Sequence, residues 1–499
     1  MTNLSSLNPK VSKRLKPNQP KKIFQENYHM STHWIFAKTL SACLLMTQAC
    51  SGSAQSLDQL IDQALAQNLT LKAAQSDASG ALAALDAARA ERLPSLKLST
   101  RALFNEGGRV IEIPVADALN PVYATLNRLS AGSSQPTQFP QIENPAFSTI
   151  RDREFDARLS LSTPLYAPGL EAGVQRAMAE QQGAGALSEL AARTLIRDVQ
   201  LAYFNVGRAR ASREIFSASE RVLNENVRVN QALLDAGSAT RDKLLRAQAE
   251  VLAAQDRTQG ARDAENSALR YLNFLRAMPL DTALVGELEA RFPQVRLRSA
   301  SQIGAENPQR SALAFSVAAA SAGIKQAESL AKPNIGFGLD TGTQGENFGF
   351  GSGKNFSTAA ISLNWTLFDF GTISAKKRAA SAIRDRRQQQ LDELDAALAL
   401  RQREAQEKLA SAILRTQTQG ARLLAASENY RIAEKQRAAG SLSQIEFLDA
   451  EQASTQAQLA AQSARFEQAI ASAELEFASA SYPLSNNPNN SKKTTSIAE

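Results

Sequence analysis

Apolar and polar positions alternate over short stretches at four places along this chain, and long alanine-rich stretches with helical composition separate them. Phe155, Ala157, Leu159, Leu161 and Thr163 alternate with Asp156, Arg158, Ser160 and Ser162. Ile361, Leu363, Trp365 and Leu367 alternate with Ser362, Asn364 and Thr366. Shorter runs stand ahead of each, at Leu96–Thr100 after Pro94 and Ile335–Leu339 after Pro333. Period-two patterning predicts four strands with one apolar face, as a membrane barrel strand or a soluble sandwich strand would have. In the first reading Leu159, Leu161, Ile361, Leu363 and Trp365 face lipid.

The other segments predict helix. A proline-free stretch rich in Ala, Gln, Leu, Arg and Glu runs from Gly169 to Met278. A second runs from Asn334 to Tyr482 and turns helical after Gly371. Each is interrupted by Ala-Gly-Ser. Gly237 and Gly440 suit a helix end that needs a left-handed residue, and Thr240 and Ser443 suit the N-caps that follow. Each stretch is thus expected to be a helical hairpin with unequal arms. An arm of about 68 residues would reach roughly 100 Å, and one of about 40 residues roughly 60 Å. Helices of that length belong to coiled-coil-like assemblies. Leu57–Glu91 and Ala305–Leu330 read as amphipathic helices that open the two halves.

The halves repeat one another. A shift of 203 positions brings Ala236-Gly237-Ser238 onto Ala439-Gly440-Ser441, Leu245 onto Leu448, Leu272 onto Leu475 and Phe274 onto Phe477. The flanking Leu165-Tyr166-Ala167-Pro168-Gly169 corresponds to Leu367-Phe368-Asp369-Phe370-Gly371, so the likeness extends beyond helical composition. The expected organisation is an N-terminal extension and signal peptide (1–54), a first repeat (55–300), a second repeat (301–482) and a disordered tail (483–499). Within the repeats, Asn105–Arg153 reads as a long proline-bearing loop and Gly342–Ser357 as a short glycine-rich one.

Charge and composition narrow the function. The formal net charge is +7, but residues 1–54 carry +6 of it through seven Lys and Arg against Glu26. The basic character belongs to the leader, and nucleic acid loses its main support as a partner. From Met30, itself a possible start site, the chain runs through Lys38 into an apolar stretch and then small residues, so export with cleavage after Ala54 is expected. Cys50 is an alternative site, for lipidation. Both cysteines (Cys43, Cys50) and both histidines (His29, His33) lie in this leader. Once it is removed, disulfides, the usual zinc sites and a Ser-His-Asp triad are unavailable. Acid–base chemistry by carboxylates alone stays open, but no enzyme activity and no cofactor or metal are expected. No stretch beyond the leader approaches 18 consecutive apolar residues, so membrane crossing would fall to strands. Four strands cannot close a barrel, so the chain is expected to oligomerise.

The order helix, strand, strand, long helix, short helix occurs twice. With the Ala-Gly-Ser turns and the following Asp242-Lys243-Leu244-Leu245-Arg246-Ala247 and Glu446-Phe447-Leu448-Asp449-Ala450, it resembles the TolC family of outer-membrane efflux proteins over nearly all of residues 57–482. The resemblance implies a mainly α fold with a membrane β-barrel contribution. Long hairpins would build an α-barrel across the periplasm, and four strands per chain would give a homotrimer a 12-stranded barrel in outer-membrane lipid. It implies a passive duct for efflux or type I secretion, partnered by a periplasmic adaptor and an inner-membrane pump, either proton-driven or ABC. Adaptors and structural coiled-coil proteins are the alternatives; both lack repeated strand pairs. The family's paired gate acids correspond to Glu446 and Asp449. Its first-repeat gate acid corresponds to Lys243, beside Asp242, and its gate arginine to Leu442. The exchange suggests a Lys243–Glu446 pair across neighbouring hairpins.

Overall fold

A computed structural model describes residues 56–482 except 133 and 285–306. The expected leader with Cys43, Cys50, His29 and His33, the boundary at 300–301 and the tail from 483 lie outside the described residues.

The first half opens with α1 (Leu57–Gln67) and α2 (Leu69–Ala90). The expectation of one helix over 57–91 is corrected at Asn68. There the side-chain Oδ1 accepts from the Leu71 amide at 2.9 Å, and Nδ2 donates to the Leu275 carbonyl at 2.8 Å. An asparagine that caps a new helix while satisfying a distant carbonyl stabilises a bend more than another helical turn.

Next come β1 (Ser95–Phe104), β2 (Val110–Glu112), α3 (Val115–Ser130), β3 (Ala146–Ser148) and β4 (Arg153–Tyr166). The hairpin of α4 (Pro168–Asp235) and α5 (Arg241–Leu275) completes the half. The second half holds α6 (Pro308–Ser329), β5 (Asn334–Gly345), β6 (Asn355–Asn364), α7 (Thr372–Ala438) and α8 (Gln444–Ala478). The long arms have 68 and 67 residues and the short ones 35 each, somewhat less than the expected 40. Both short arms stop where a non-glycine residue turns left-handed, Ala277 at φ 52° and Ala480 at φ 49°. These are equivalent positions in the repeat.

The four long strands form one antiparallel sheet in the order β1-β4-β5-β6, so both outer edges are unpaired in the single chain. The central ladder, β4 with β5, joins the halves: Leu161 faces Leu339 and Leu159 faces Thr341. Leu96 and Leu98 oppose Leu161 and Leu159, and Phe337 and Ile335 oppose Ile361 and Leu363. Register therefore gathers the apolar side chains on one face. Lys97, Arg101, Glu154, Asp156, Arg158, Asp340 and Gln344 share the other face. There the buried Asp156 carboxylate lies 2.6 Å from the Arg158 guanidinium and 3.7 Å from that of Arg101.

Trp365 and Leu367 fall beyond the fourth strand, which corrects their assignment to it. The β5–β6 ladder begins at Asn334, directly after Pro333, so the pairing ends at Asn364. The Trp365 indole N–H donates instead to the Ala331 carbonyl at 3.0 Å.

Where the two halves meet, Leu60 and Ile61 of α1 pack with Val199, Tyr203 and Phe204 of α4, Leu272 of α5, and Phe466 and Ala469 of α8. Burying each large side chain there contributes about 1.5–3 kcal/mol. Gly207 lets α4 approach α8 at this level, since a Cβ on it would lie 2.5 Å from Cε1 of Phe466. Gly342 plays the same part in the sheet: its Cβ would lie 2.2 Å from the Ala157 carbonyl oxygen and 2.8 Å from Arg158 Cα.

The segment 105–152 is more ordered than the loop the sequence suggested. Helix α3 runs straight through Pro121. Proline removes one amide from the helix ladder, and side chains make up for it by tying α3 to the returning chain.

Candidate functional site

The residues singled out at the hairpin turns lie on two short loops with matching architecture. Gly237 has φ 71° and Gly440 φ 72°. The Gly237 and Ser238 amides donate to the Leu234 and Leu233 carbonyls at 2.9 and 2.8 Å. The Gly440 and Ser441 amides donate to the equivalent Arg437 and Gln436 carbonyls at 3.0 and 2.9 Å. Both are glycine-terminated helix ends of Schellman type, in which the left-handed residue frees its neighbours to satisfy the last carbonyls.

The helix starts after the turns differ. Ser443 heads α8 with a complete capping box: the Glu446 amide donates to Ser443 Oγ at 3.3 Å, and the Ser443 amide donates to Glu446 Oε2 at 3.0 Å. The Ser443 hydroxyl also donates to Oε2 at 2.7 Å. Thr240 heads α5 without a side-chain cap on the helix backbone, and its hydroxyl serves Asp242 instead. These contacts hold both carboxyls below their ordinary values, Glu446 through Ser443 and Asp242 through Thr240 first.

Glu446 and Asp449 are exposed, three residues apart on one face of α8, while Phe447, Leu448 and Ala450 are buried behind them. Lys243 is exposed on the neighbouring tip. No ion pair joins Lys243 to Glu446 among the described residues of the single chain. The tips are linked instead by Gln444, whose Nε2 donates to the Lys243 carbonyl at 2.9 Å.

Behind the tips lies a cluster that sequence reasoning missed. Leu223, Val251, Ala254, Phe447 and Leu448 form its apolar part. Arg437 lies 4.0 Å over the Phe447 ring and donates to the Asn226 side chain across the gap to α4. The buried Glu451 carboxylate accepts from the hydroxyls of Ser219 at 2.5 Å and Thr455 at 2.8 Å. Burial, with the charges of Glu434 and Glu451, pushes the Tyr430 hydroxyl up to about 12. The available signal was weak, because Arg437 in a helix's last turn reads as a dipole-complementing surface residue.

Leu159, Ile361 and Leu363 are exposed on the apolar face of the sheet and Leu161 is half-buried there. Tyr166 at the end of β4, and Trp365, Phe368 and Phe370 just past β6, are exposed as well. Among the described residues no helix is long and apolar enough to cross a membrane, and no group of three or more His, Cys, Asp or Glu is placed to hold a metal ion.

Comparison with known proteins places this geometry. The model of the family described as outer membrane efflux protein matches residues 114–276 and 300–481. The alkaline protease secretion protein AprF of Pseudomonas aeruginosa is 27% identical over 253 residues, 48% of this chain and 53% of AprF. The chain thus spans about half the length of that curated relative. Among solved structures, the open state of the Neisseria gonorrhoeae MtrE outer membrane channel superposes with a TM-score of 0.70 at 19% identity, covering 86% of this chain and 89% of MtrE. The Campylobacter jejuni CmeC outer membrane channel gives 0.70 at 15% identity, covering 96% and 98%. At these identities the likeness is one of fold, a helical barrel continuous with a strand barrel.

Proposed function

Because this chain belongs to the outer membrane efflux protein family, we propose that it is the passive exit duct of a tripartite efflux or type I secretion system, with no chemistry of its own. The observation that carries this reading is the four-stranded sheet: apolar on one face, charged on the other, and open at both edges. Unpaired strand edges are not tolerated in lipid, so the edges of β1 and β6 require further copies of the chain. Three copies supply the strands of a barrel wide enough for a lumen. Leu159, Leu161, Ile361 and Leu363 then face lipid, and Asp156 with its two arginines faces the duct. Tyr166, Trp365, Phe368 and Phe370 stand where strands give way to helices, the level at which aromatic side chains favour the membrane interface.

The long arms extend about 100 Å, enough to carry the duct through the periplasm to an adaptor and a pump that supplies the energy. AprF is named for secretion of an alkaline protease, which favours a protein cargo delivered by an ABC-type pump. The test is an outer-membrane preparation run unheated and heated on a denaturing gel, followed by conductance of the purified assembly in a planar bilayer. A heat-modifiable oligomer with discrete current steps supports the duct, and a monomer without current overturns it.

The tips form the constriction in this reading. Glu446 and Asp449 from each copy make an acidic ring that favours cations and disfavours anions. Lys243 restrains it through a contact with Glu446 of a neighbouring hairpin, a contact made only on assembly. Lys243→Glu removes that restraint, and single-channel current should rise several-fold; unchanged current would sink the assignment.

The ring also has a defined acid limit. A carboxyl held below its ordinary value keeps its charge, and the cap stability that depends on it, until pH falls through that lowered value. The share of cation selectivity that rests on Glu446 should therefore persist below the usual glutamate range. Ser443→Ala should shift the loss of selectivity to higher pH, read as reversal potential against pH.

A further inference from the structure

Helix α3 is built inside out. The face it turns toward its own chain is polar. Asn120 accepts from the Ile142 amide at 3.0 Å and donates to the Ile142 carbonyl at 2.9 Å. Asn127 makes the same pair of bonds with Phe139, at 2.7 and 2.8 Å. Asn144 accepts from the Ala116 amide at 2.7 Å at the helix start, and Ser130 donates to the Thr137 carbonyl at 2.7 Å near its end. Tyr123 stacks on Phe139 with ring centroids 5.8 Å apart. These bonds fix the helix rigidly on 137–144.

The adjoining face is apolar and open. Leu119, Val122, Leu126 and Leu129 are 37%, 51%, 39% and 74% exposed. Their spacing of three, four and three residues is the seam of a helix that packs against another helix. Ala118 and Thr125 flank the seam with small side chains that permit close approach. A soluble loop has no reason to present such a stripe to water.

We propose that α3 is a clasp between copies of this chain, its stripe packing on the same stripe of its neighbours at the outer mouth of the duct. The proposal rests on the oligomeric duct reading. Two observations favour a second copy as the occupant. The segment 105–152 springs from β1, the strand whose free edge a second copy must cover. Asp117 and Arg128 are the only charges on the helix, whereas a helix lying on lipid headgroups carries a basic polar face.

Single substitutions Leu126→Cys, Leu129→Cys and Arg128→Cys in the full chain test this, with the parent chain as background for Cys43 and Cys50. Outer membranes are oxidised with copper phenanthroline and run unreduced on denaturing gels, beside native gels of the same samples. The clasp predicts a disulfide-linked dimer for Leu126→Cys and Leu129→Cys and none for Arg128→Cys, with conductance falling on oxidation and returning on reduction. A native oligomer without either dimer overturns the clasp and leaves the duct standing. The same result combined with protection of both stripe thiols from a water-soluble maleimide overturns it in favour of a lipid-covered stripe. A native monomer overturns both readings.

Discussion

Gly342→Ala should leave the chain unable to complete its sheet, and heat-modifiable oligomer should disappear from the outer membrane. The added methyl meets the Ala157 carbonyl oxygen at 2.2 Å and Arg158 Cα at 2.8 Å. Both are backbone atoms of the paired strand, so no side chain can swing aside. Relief requires β4 and β5 to part at the ladder that joins the two halves. The cost should exceed the 1–3 kcal/mol typical of an overpacked core, because a ladder broken in lipid also strands its hydrogen-bonding groups. Gly338→Ala is the internal control. It lies on the same strand and the same charged face, with nothing within 4 Å of its Cβ. Loss of oligomer in both variants would show that glycine matters there for another reason.

Gly207→Ala should destabilise the helical part, and here the clash can be relieved. Alanine is the better helix former by about 1 kcal/mol, so an exposed site would gain stability. At Gly207 the new methyl instead meets Cε1 and Cζ of Phe466 at 2.5 and 2.9 Å, and that ring is buried in the core joining α1, α4, α5 and α8. Overpacking of roughly 1–3 kcal/mol outweighs the propensity gain. Phe466→Leu removes the offending ring atoms. The two changes together should therefore cost less than the sum of the separate ones, a favourable coupling in denaturant-melting midpoints. Additive effects would place the strain elsewhere.

Much of this fold was legible in the sequence because its signals are periodic and duplicated. The Ala-Gly-Ser turns located both hairpins, and Pro168 and Gly371 located the starts of both long arms. The apolar alternation around Leu159 and Ile361 located two strands, from which their partners followed. What escaped depends on contacts distant in sequence. Asn68 breaks a helix because its amide reaches the Leu275 carbonyl, which composition does not reveal. Trp365 continues the alternation of β6, but the strand ends where its partner begins, after Pro333. Helix α3 was hidden by Pro121 and by asparagines that read as loop residues until their backbone partners at 139 and 142 are seen.

At the tips, local rules carried the reading part of the way. The caps and the acidic pair follow from residues a few positions apart. The Arg437–Asn226 contact and the buried Glu451 join elements from different halves of the chain, so nothing in the pattern around either residue marks them.

The central ladder has a consequence for biogenesis. β4 and β5 come from different halves of the chain, so synthesis and export present the first hairpin of strands long before its partner is available. Contacts so distant in sequence form late and slowly. Until they form, β4 offers an unpaired apolar edge of the kind that seeds aggregation. A chain truncated after α5, which lacks both β5 and the α8 side of the shared core, should therefore pellet as aggregate in proportions well above the full chain, read by centrifugation of matched lysates.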